Sequence, residues 1–220
     1  MEASRTELRK WFVAFFLISQ TDKGINAVEL STIIQVTYKT AWSILHKIRR
    51  VMNKTDQSTL LTGSISVNSA VYGRPYHSSV NKHPQENLLL VGSSLNQTGE
   101  PSYIKIKVVT SENPKDKHIN QSVMKSFTKQ HIDQHAKRID FVTGFYTPKH
   151  KRPLLAFATQ ASKWINDTFH GLGAAYLQTY LDEFSYRLNL SIQGIPIFKH
   201  LIHQCVSMSF SDPTNTQCAA

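Results

Sequence analysis

The side chains with the plainest chemistry in this sequence are cations spaced along one helical face. Lys39, Ser43, Lys47 and Arg50 recur at three- and four-residue steps, with His46 and Arg49 flanking them. That spacing gathers them on one side of a helix. Ammonium and guanidinium groups in a row suit a polyanion, because they neutralise phosphates and so orient a protein on a nucleic acid backbone. Ala41, Ile44, Leu45, Ile48, Val51 and Met52 fall on the opposite side of the same segment, which predicts a buried stripe behind the basic one.

Other reactive groups are sparser. His131 and His135 lie four apart, and His200, His203 and Cys205 cluster further on. Either spacing places ligating atoms on one helical face, but neither supplies a full metal-ligand set, so both groups are read as ordinary core or surface residues, with no metal and no cofactor expected. Trp11, Trp42 and Trp164 read as packing residues. No glycine-rich phosphate loop, nucleophile elbow or paired-histidine zinc motif is present.

The elements that must position the basic face begin near the N-terminus. Leu8, Trp11, Phe12, Phe15 and Phe16 predict a first helix with one buried stripe. Turn residues Thr21–Gly24 end it. Asn26 with Glu29 three residues later forms a capping-box pattern that starts a second helix, running to about Ile34. Gln35-Val36 makes a tight connection, and Thr37 caps a third helix from Tyr38 to about Met52. Two short helices joined tightly, the second basic outside and apolar inside, describe a helix-turn-helix. Tyr38, Lys39 and Thr40 would then enter a major groove, with His46 alongside, while Lys47, Arg49 and Arg50 meet phosphates. The competing reading is a plain helical bundle with a solvated basic face.

Beyond it, Asn53–Thr62 is polar and reads as a linker. Strands are expected at Ser64–Asn68, Glu86–Leu95, Tyr103–Val108 and Arg138–Val142, the second and third joined as a hairpin by Asn96–Glu100. Helices are expected at Lys115–Gln130, Ala174–Leu190 and Pro196–Phe210; residues 153–166 read as a strand passing into a helix. This order predicts an α/β domain with a mixed sheet flanked by helices. The division is a small all-α helix-turn-helix domain at 1–54, a linker at 55–62, the α/β core at 63–210 and a loose tail at 211–220.

Composition limits the function classes. The chain has 220 residues, 25 Lys+Arg against 15 Asp+Glu, a net charge of +10, and 40% hydrophobic residues. This balance excludes disorder throughout its length. No apolar run reaches the roughly 18 residues of a membrane span, and Trp11–Ile18 lacks the cleavage site of a secretory signal. Two cysteines, Cys205 and Cys218, exclude a disulfide framework and fit reduced thiols in a cytoplasmic protein. The charge is uneven: residues 1–54 hold 9 basic and 4 acidic side chains, and residues 103–152 hold 11 and 4. Two basic blocks suggest a polyanion touched at two places. The second block, including Lys105, Lys107, Lys115, Lys117, Lys125, Lys129, Lys137 and Arg138, reads equally well as a DNA-tracking surface or as the solvated side of a hairpin and helix.

Several stretches resemble bacterial insertion-sequence transposases, whose core has the RNase H-like fold of DDE-type, integrase-like enzymes. The helix-turn-helix is similar through Ile18-Ser19, Lys23-Gly24, Tyr38-Lys39-Thr40-Ala41-Trp42, Leu45-His46 and Ile48-Arg49. Gly63–Ala70 resembles the family's first strand. The most specific likeness is Thr168-Phe169-His170-Gly171 followed by Tyr176-Leu177-Gln178, Tyr180–Phe184, Arg187 and Asn189. It extends from about Glu7 to Cys205. The N-terminal zinc ribbon usual in the family is missing from these residues.

The resemblance implies phosphoryl transfer on DNA, in which carboxylates hold two Mg²⁺ or Mn²⁺ ions. The positions that match the family's site are Asn68, with Ser69 beside it, then Thr143 before Gly144, and Gln160 with Ser162. None carries a carboxylate, and a hard divalent cation rests mainly on carboxylates. Asp140, Asp167, Asp182 and Glu183 are the acids that could substitute. Asp140 is expected on the sheet face opposite Thr143, and Asp182 and Glu183 are expected to be solvated or capping. The sequence therefore predicts a transposase-like protein that binds double-stranded DNA without cutting it. The alternatives are an active transposase with displaced acids, and a non-enzymatic partner or inhibitor of intact transposases. Self-association, or association with a related transposase, fits all three.

Overall fold

A computed structural model describes residues 6–21, 23–73, 83, 85–109, 119–143 and 153–207. Three helices come first: α1 (Leu8–Ile18), α2 (Ala27–Ile34) and α3 (Tyr38–Ser58). They start where the caps predict. Asn26 Oδ1 accepts the Glu29 amide at 2.9 Å, and Thr37 Oγ1 accepts the Thr40 amide at 3.2 Å, each satisfying an otherwise orphaned first-turn donor. Gln35 takes the left-handed conformation, φ +50°, that lets α2 turn into α3.

α1 corrects the sequence expectation. Its buried residues are Trp11, Ala14, Phe15 and Ile18, whereas Leu8, Phe12 and Phe16 are exposed. Five large apolar residues span too wide an arc for one contact face, and the smaller Ala14 takes the inward position. α3 also differs from its expected extent. The segment expected as a linker remains helical to Ser58, because Asp56 is drawn into buried contacts with Lys105 and Lys107.

Four strands follow: β1 (Ser64–Tyr72), β2 (Asn87–Leu95), β3 (Pro101–Val108) and β4 (Arg138–Val142). They form one mixed sheet in the order β3-β2-β1-β4. β1 pairs antiparallel with β2, β2 antiparallel with β3, and β1 parallel with β4. The β2–β3 turn is held by Asn96 Oδ1, which accepts the Thr98 and Glu100 amides at 3.0 and 2.8 Å.

The remaining helices are α4 (Gln121–His131), α5 (Leu155–Phe169), α6 (Ala174–Ile192) and α7 (Ile197–Ser207). Residues 155–169 are helical throughout, without the strand expected there. α4 starts at Gln121, later than the expected Lys115, where Asn120 Oδ1 caps it by accepting the Val123 amide at 3.0 Å; Gly144 and the tail from 211 lie outside the described residues.

The sheet is buried on both faces. Ala70, Tyr72, Leu89, Val91, Ile104 and Ile106 pack under α5 and α6. Ile65, Val67 and Leu90 pack with Leu61, Phe127 and Ile132 on the α4 side. Gly92 lies under α4, where a Cβ would come within 2.8 Å of Leu61 and 2.9 Å of Phe127, so a side chain there would force the layers apart.

A third cluster joins α1–α3 to Tyr186 and Leu190 of α6 and to Ile197 and Leu201 of α7. Burying each large aliphatic side chain is worth about 1.5–3 kcal/mol. A domain of this size holds only about 0.05–0.15 kcal/mol per residue in net stability. The three N-terminal helices therefore draw a decisive share of their stability from α6 and α7.

Candidate nucleic-acid interface

α3 presents two faces of opposite character. Ala41, Ile44, Leu45, Ile48, Val51 and Met52 are buried, as the periodicity predicts. Lys39, Lys47, Arg50 and Lys54 are exposed along the other side, with Thr40, Ser43 and His46 partly so. Tyr38, at the start of the helix, is 57% exposed. Lys47 Nζ lies 5.9 Å from the centre of the Trp11 ring, which braces the stem while leaving the charge at the surface.

Two residues expected in this interface differ from the rest, Arg49 by burial and His46 by stacking. Arg49 is 2% exposed. Its Nε donates to Glu183 Oε2 at 2.6 Å, and its guanidinium stacks 4.3 Å from the Tyr180 ring centre. One residue of offset from Arg50 rotates it by a full 100° on the helix, onto the face that meets α6. His46 stacks on Trp42 with ring centres 4.8 Å apart and planes 7° apart. Burial, then the neighbouring Arg50 and Arg49, lower its pKa, so its neutral form is favoured and it adds little charge for phosphates.

The second basic block divides in the same way. Lys125, Lys129, Lys137 and Arg138 are exposed. Lys105 and Lys107 are buried: Lys107 Nζ donates to Asp56 Oδ2 at 2.6 Å and to Asp182 Oδ1 at 2.7 Å, and Lys105 Nζ lies 3.1 Å from Asp56 Oδ2. Burial works against both ammonium groups. At Lys105 it prevails and lowers the pKa, whereas at Lys107 the carboxylates of Asp56 and Asp182 outweigh it and raise the pKa. Neither lysine reaches solvent, so neither the DNA-tracking nor the solvated reading describes them. Lys115 and Lys117 lie outside the described residues.

The positions to which the sequence resemblance points for a metal site are partly brought together. Asn68 pairs with Val142 across β1 and β4, which sets Thr143 just beyond it, and Ser69 Oγ donates to the Thr143 carbonyl at 3.3 Å. Asn68 is fully buried, and its Oδ1 accepts the Leu154 amide at 3.1 Å. Its Nδ2, a donor, has no partner among the described residues. Thr143 Oγ1 faces Met124 Sδ at 3.9 Å. Ser162, on α5, turns its hydroxyl back onto the Ala158 carbonyl at 2.8 Å, and Gln160 is exposed. A spent carbonyl, an N–H donor and two hydroxyls do not make a site for Mg²⁺ or Mn²⁺. Among the described residues no three His, Cys, Asp or Glu side chains converge as metal ligands.

The substitute acids are placed elsewhere. Asp140 is exposed and pairs with Arg138 at 2.9 Å; Asp167 is exposed on α5. Asp182 and Glu183 are buried, contrary to the solvated role expected for them, because α6 is enclosed between the sheet edge and α3. The other reactive groups are structural. His200 Nδ1 is 2.7 Å from the Tyr186 hydroxyl. Cys205 is buried, and burial pushes its thiol up to about 11.

What sequence reasoning missed is the work of α6. Asp182 reaches Lys107 and Glu183 reaches Arg49. Arg187 donates to the Thr21 and Lys23 carbonyls at 3.2 and 3.0 Å, and also to the Gln20 carbonyl, organising the α1–α2 turn. A signal was present in the sequence: Tyr186 and Leu190 lie opposite the stripe of Leu177, Leu181, Phe184 and Leu188, so α6 carries apolar residues on two sides and its polar residues fall between them.

No described helix is long and apolar enough to cross a membrane. No protein-family model and no curated protein matches the chain.

Proposed function

We propose that this protein is a transposase-like binder of double-stranded DNA that lacks strand-cleaving chemistry. The observation that carries the reading is the exposed row of Lys39, Lys47 and Arg50 on α3, backed by the buried apolar stripe Ala41, Ile44, Leu45, Ile48, Val51 and Met52. The short α2, the tight Gln35-Val36 turn and the exposed start of α3 at Tyr38 and Thr40 suit entry into a major groove. Arg49 is left out of the phosphate-contacting set, and His46 contributes shape more than charge.

The strand order β3-β2-β1-β4, with β1 and β4 parallel, is the one the RNase H-like resemblance implies, and it supports that finer assignment of the α/β core. Asn68 and Thr143 on adjacent parallel strands agree with it as well. The same two residues argue against chemistry, since neither offers an anionic oxygen. Asp140 and Asp182 are engaged with Arg138 and Lys107, which disfavours an active enzyme with displaced acids.

The test is a titration of the full chain against duplex DNA at several salt concentrations, followed by incubation with supercoiled DNA and Mg²⁺ or Mn²⁺. Binding should weaken with salt at a log–log slope of roughly −3. Lys39→Ala, Lys47→Ala and Arg50→Ala should each make the slope shallower by about 1. Salt-independent binding refutes the interface; metal-dependent nicking by the pure protein refutes the loss of chemistry.

A further inference from the structure

We infer that the groove between α2, the start of α3 and the α5–α6 turn receives an unstacked nucleobase, with Trp42 as its stacking platform. The inference rests on the DNA-binding reading and adds to it a second, single-stranded contact beside the basic face.

The half-open groove has a volume of about 770 Å³, within the range of small-molecule sites. Ile33, Tyr38, Trp42, Phe169 and Tyr180 line it, together with the charged Glu29 and Arg49. Phe169 and Tyr180 pack edge to face on each other, whereas Trp42 and Tyr38 remain 37% and 57% exposed and present apolar surface that a stacked base would cover.

Trp42 is held for the task. His46 lies flat on one face of the indole and does not line the groove, so the indole meets the groove with the surface that His46 leaves open. A ring fixed in plane, with one side covered, stacks a base with little entropy loss. Tyr180 is likewise fixed, by the Arg49 guanidinium on its face, and Arg49 is in turn held by Glu183. The buried ion pair thus serves the groove wall.

Charge selects the occupant. Lys39 directly follows Tyr38 and is exposed, with Lys47 and Arg50 further along the same helix; all three lie outside the groove lining, on the helix that would carry the phosphates of a strand whose base enters it. Aromatic faces beside a basic track are the pattern of sequence-tolerant single-strand binding. Glu29 offers an acceptor for an exocyclic base amine.

The experiment compares a blunt duplex with the same duplex carrying a short unpaired bubble that contains 2-aminopurine, each titrated with the full chain. The bubble should bind about tenfold more tightly, the size of one base–aromatic stack, and its fluorescence should be quenched. Trp42→Ala should lose both effects while binding the blunt duplex as before, and Trp42→Phe should restore part of them. Equal affinity for the two DNAs without quenching overturns the inference and leaves the duplex-binding reading standing. Failure to bind either DNA overturns both. Equal affinity together with self-association that Trp42→Ala abolishes assigns the groove to a second copy of the chain, and also overturns it. Should Trp42→Ala fail to fold, the wild-type comparison decides alone.

Discussion

Asn189 clasps both backbone groups of Ile104: its Oδ1 accepts the Ile104 amide at 2.7 Å and its Nδ2 donates to the Ile104 carbonyl at 2.8 Å. Ile104 lies on β3, the edge of the sheet, where unpaired backbone groups invite another chain. One helical stretch earlier, Gln178 accepts the Val108 amide at 2.7 Å and donates to the Ile106 carbonyl at 3.1 Å. α6 therefore acts as a side-chain substitute for a fifth strand.

Asn189→Leu should leave two buried backbone groups unpaired, at about 1–3 kcal/mol each. Urea denaturation is expected to show a loss of about 2–5 kcal/mol, and light scattering a greater tendency to self-associate. A loss below about 1 kcal/mol would mean that the edge finds other partners and that the clasp is incidental.

Glu183→Leu should strand Arg49 as an uncompensated buried cation and cost about 3–5 kcal/mol. The double variant Arg49→Met/Glu183→Leu should recover the part of that loss due to Arg49, because a hydrophobic pair of similar volume needs no counter-charge, while Arg187, 3.7 Å from Glu183, still loses its carboxylate. A double-mutant cycle by chemical denaturation measures the difference. If the single and double variants are equally unstable, the pair is not an isolated electrostatic contact.

His131 sits partly buried against Phe127, ring centres 5.0 Å apart. Burial, then the Lys107 and Lys105 ammonium groups, push its pKa down to about 4, with Asp56 opposing them. Its folded pKa thus lies below the unfolded value, so the unfolded chain binds the extra proton first. The stability associated with neutral His131 is present above about pH 6.5 and is lost as the pH falls toward 4. His131 is only partly buried, so solvent screening reduces that loss to about 1–2 kcal/mol. His131→Gln should flatten the pH dependence of the denaturation midpoint between pH 4 and 6.5, roughly; an unchanged profile would reject the assignment.

Local structure was legible in the sequence because it rests on near neighbours. The Asn26 and Thr37 caps, the hairpin at Asn96–Glu100, the apolar period of α3 and the alternation of β3 each need only residues a few positions apart. The exposed row of Lys39, Lys47 and Arg50 was legible for the same reason. The apolar arc of α1 was misjudged because five large residues fit several faces, and only packing against α3 and α7 chooses between them.

The fate of individual charges was decided by tertiary structure. Arg49 and Arg50 are neighbours of one residue type, yet one is buried on Glu183 and the other is exposed, because the partner lies 134 positions away. Lys105 and Lys107 alternate along β3 as surface residues would, until α3 and α6 bring Asp56 and Asp182 over them. Sequence alone determined which side chains carry charge and which helical or strand face they occupy. Whether a face meets water or another element depends on long-range enclosure, which changes the dielectric around a charge and so changes its role from binding phosphate to holding two layers together.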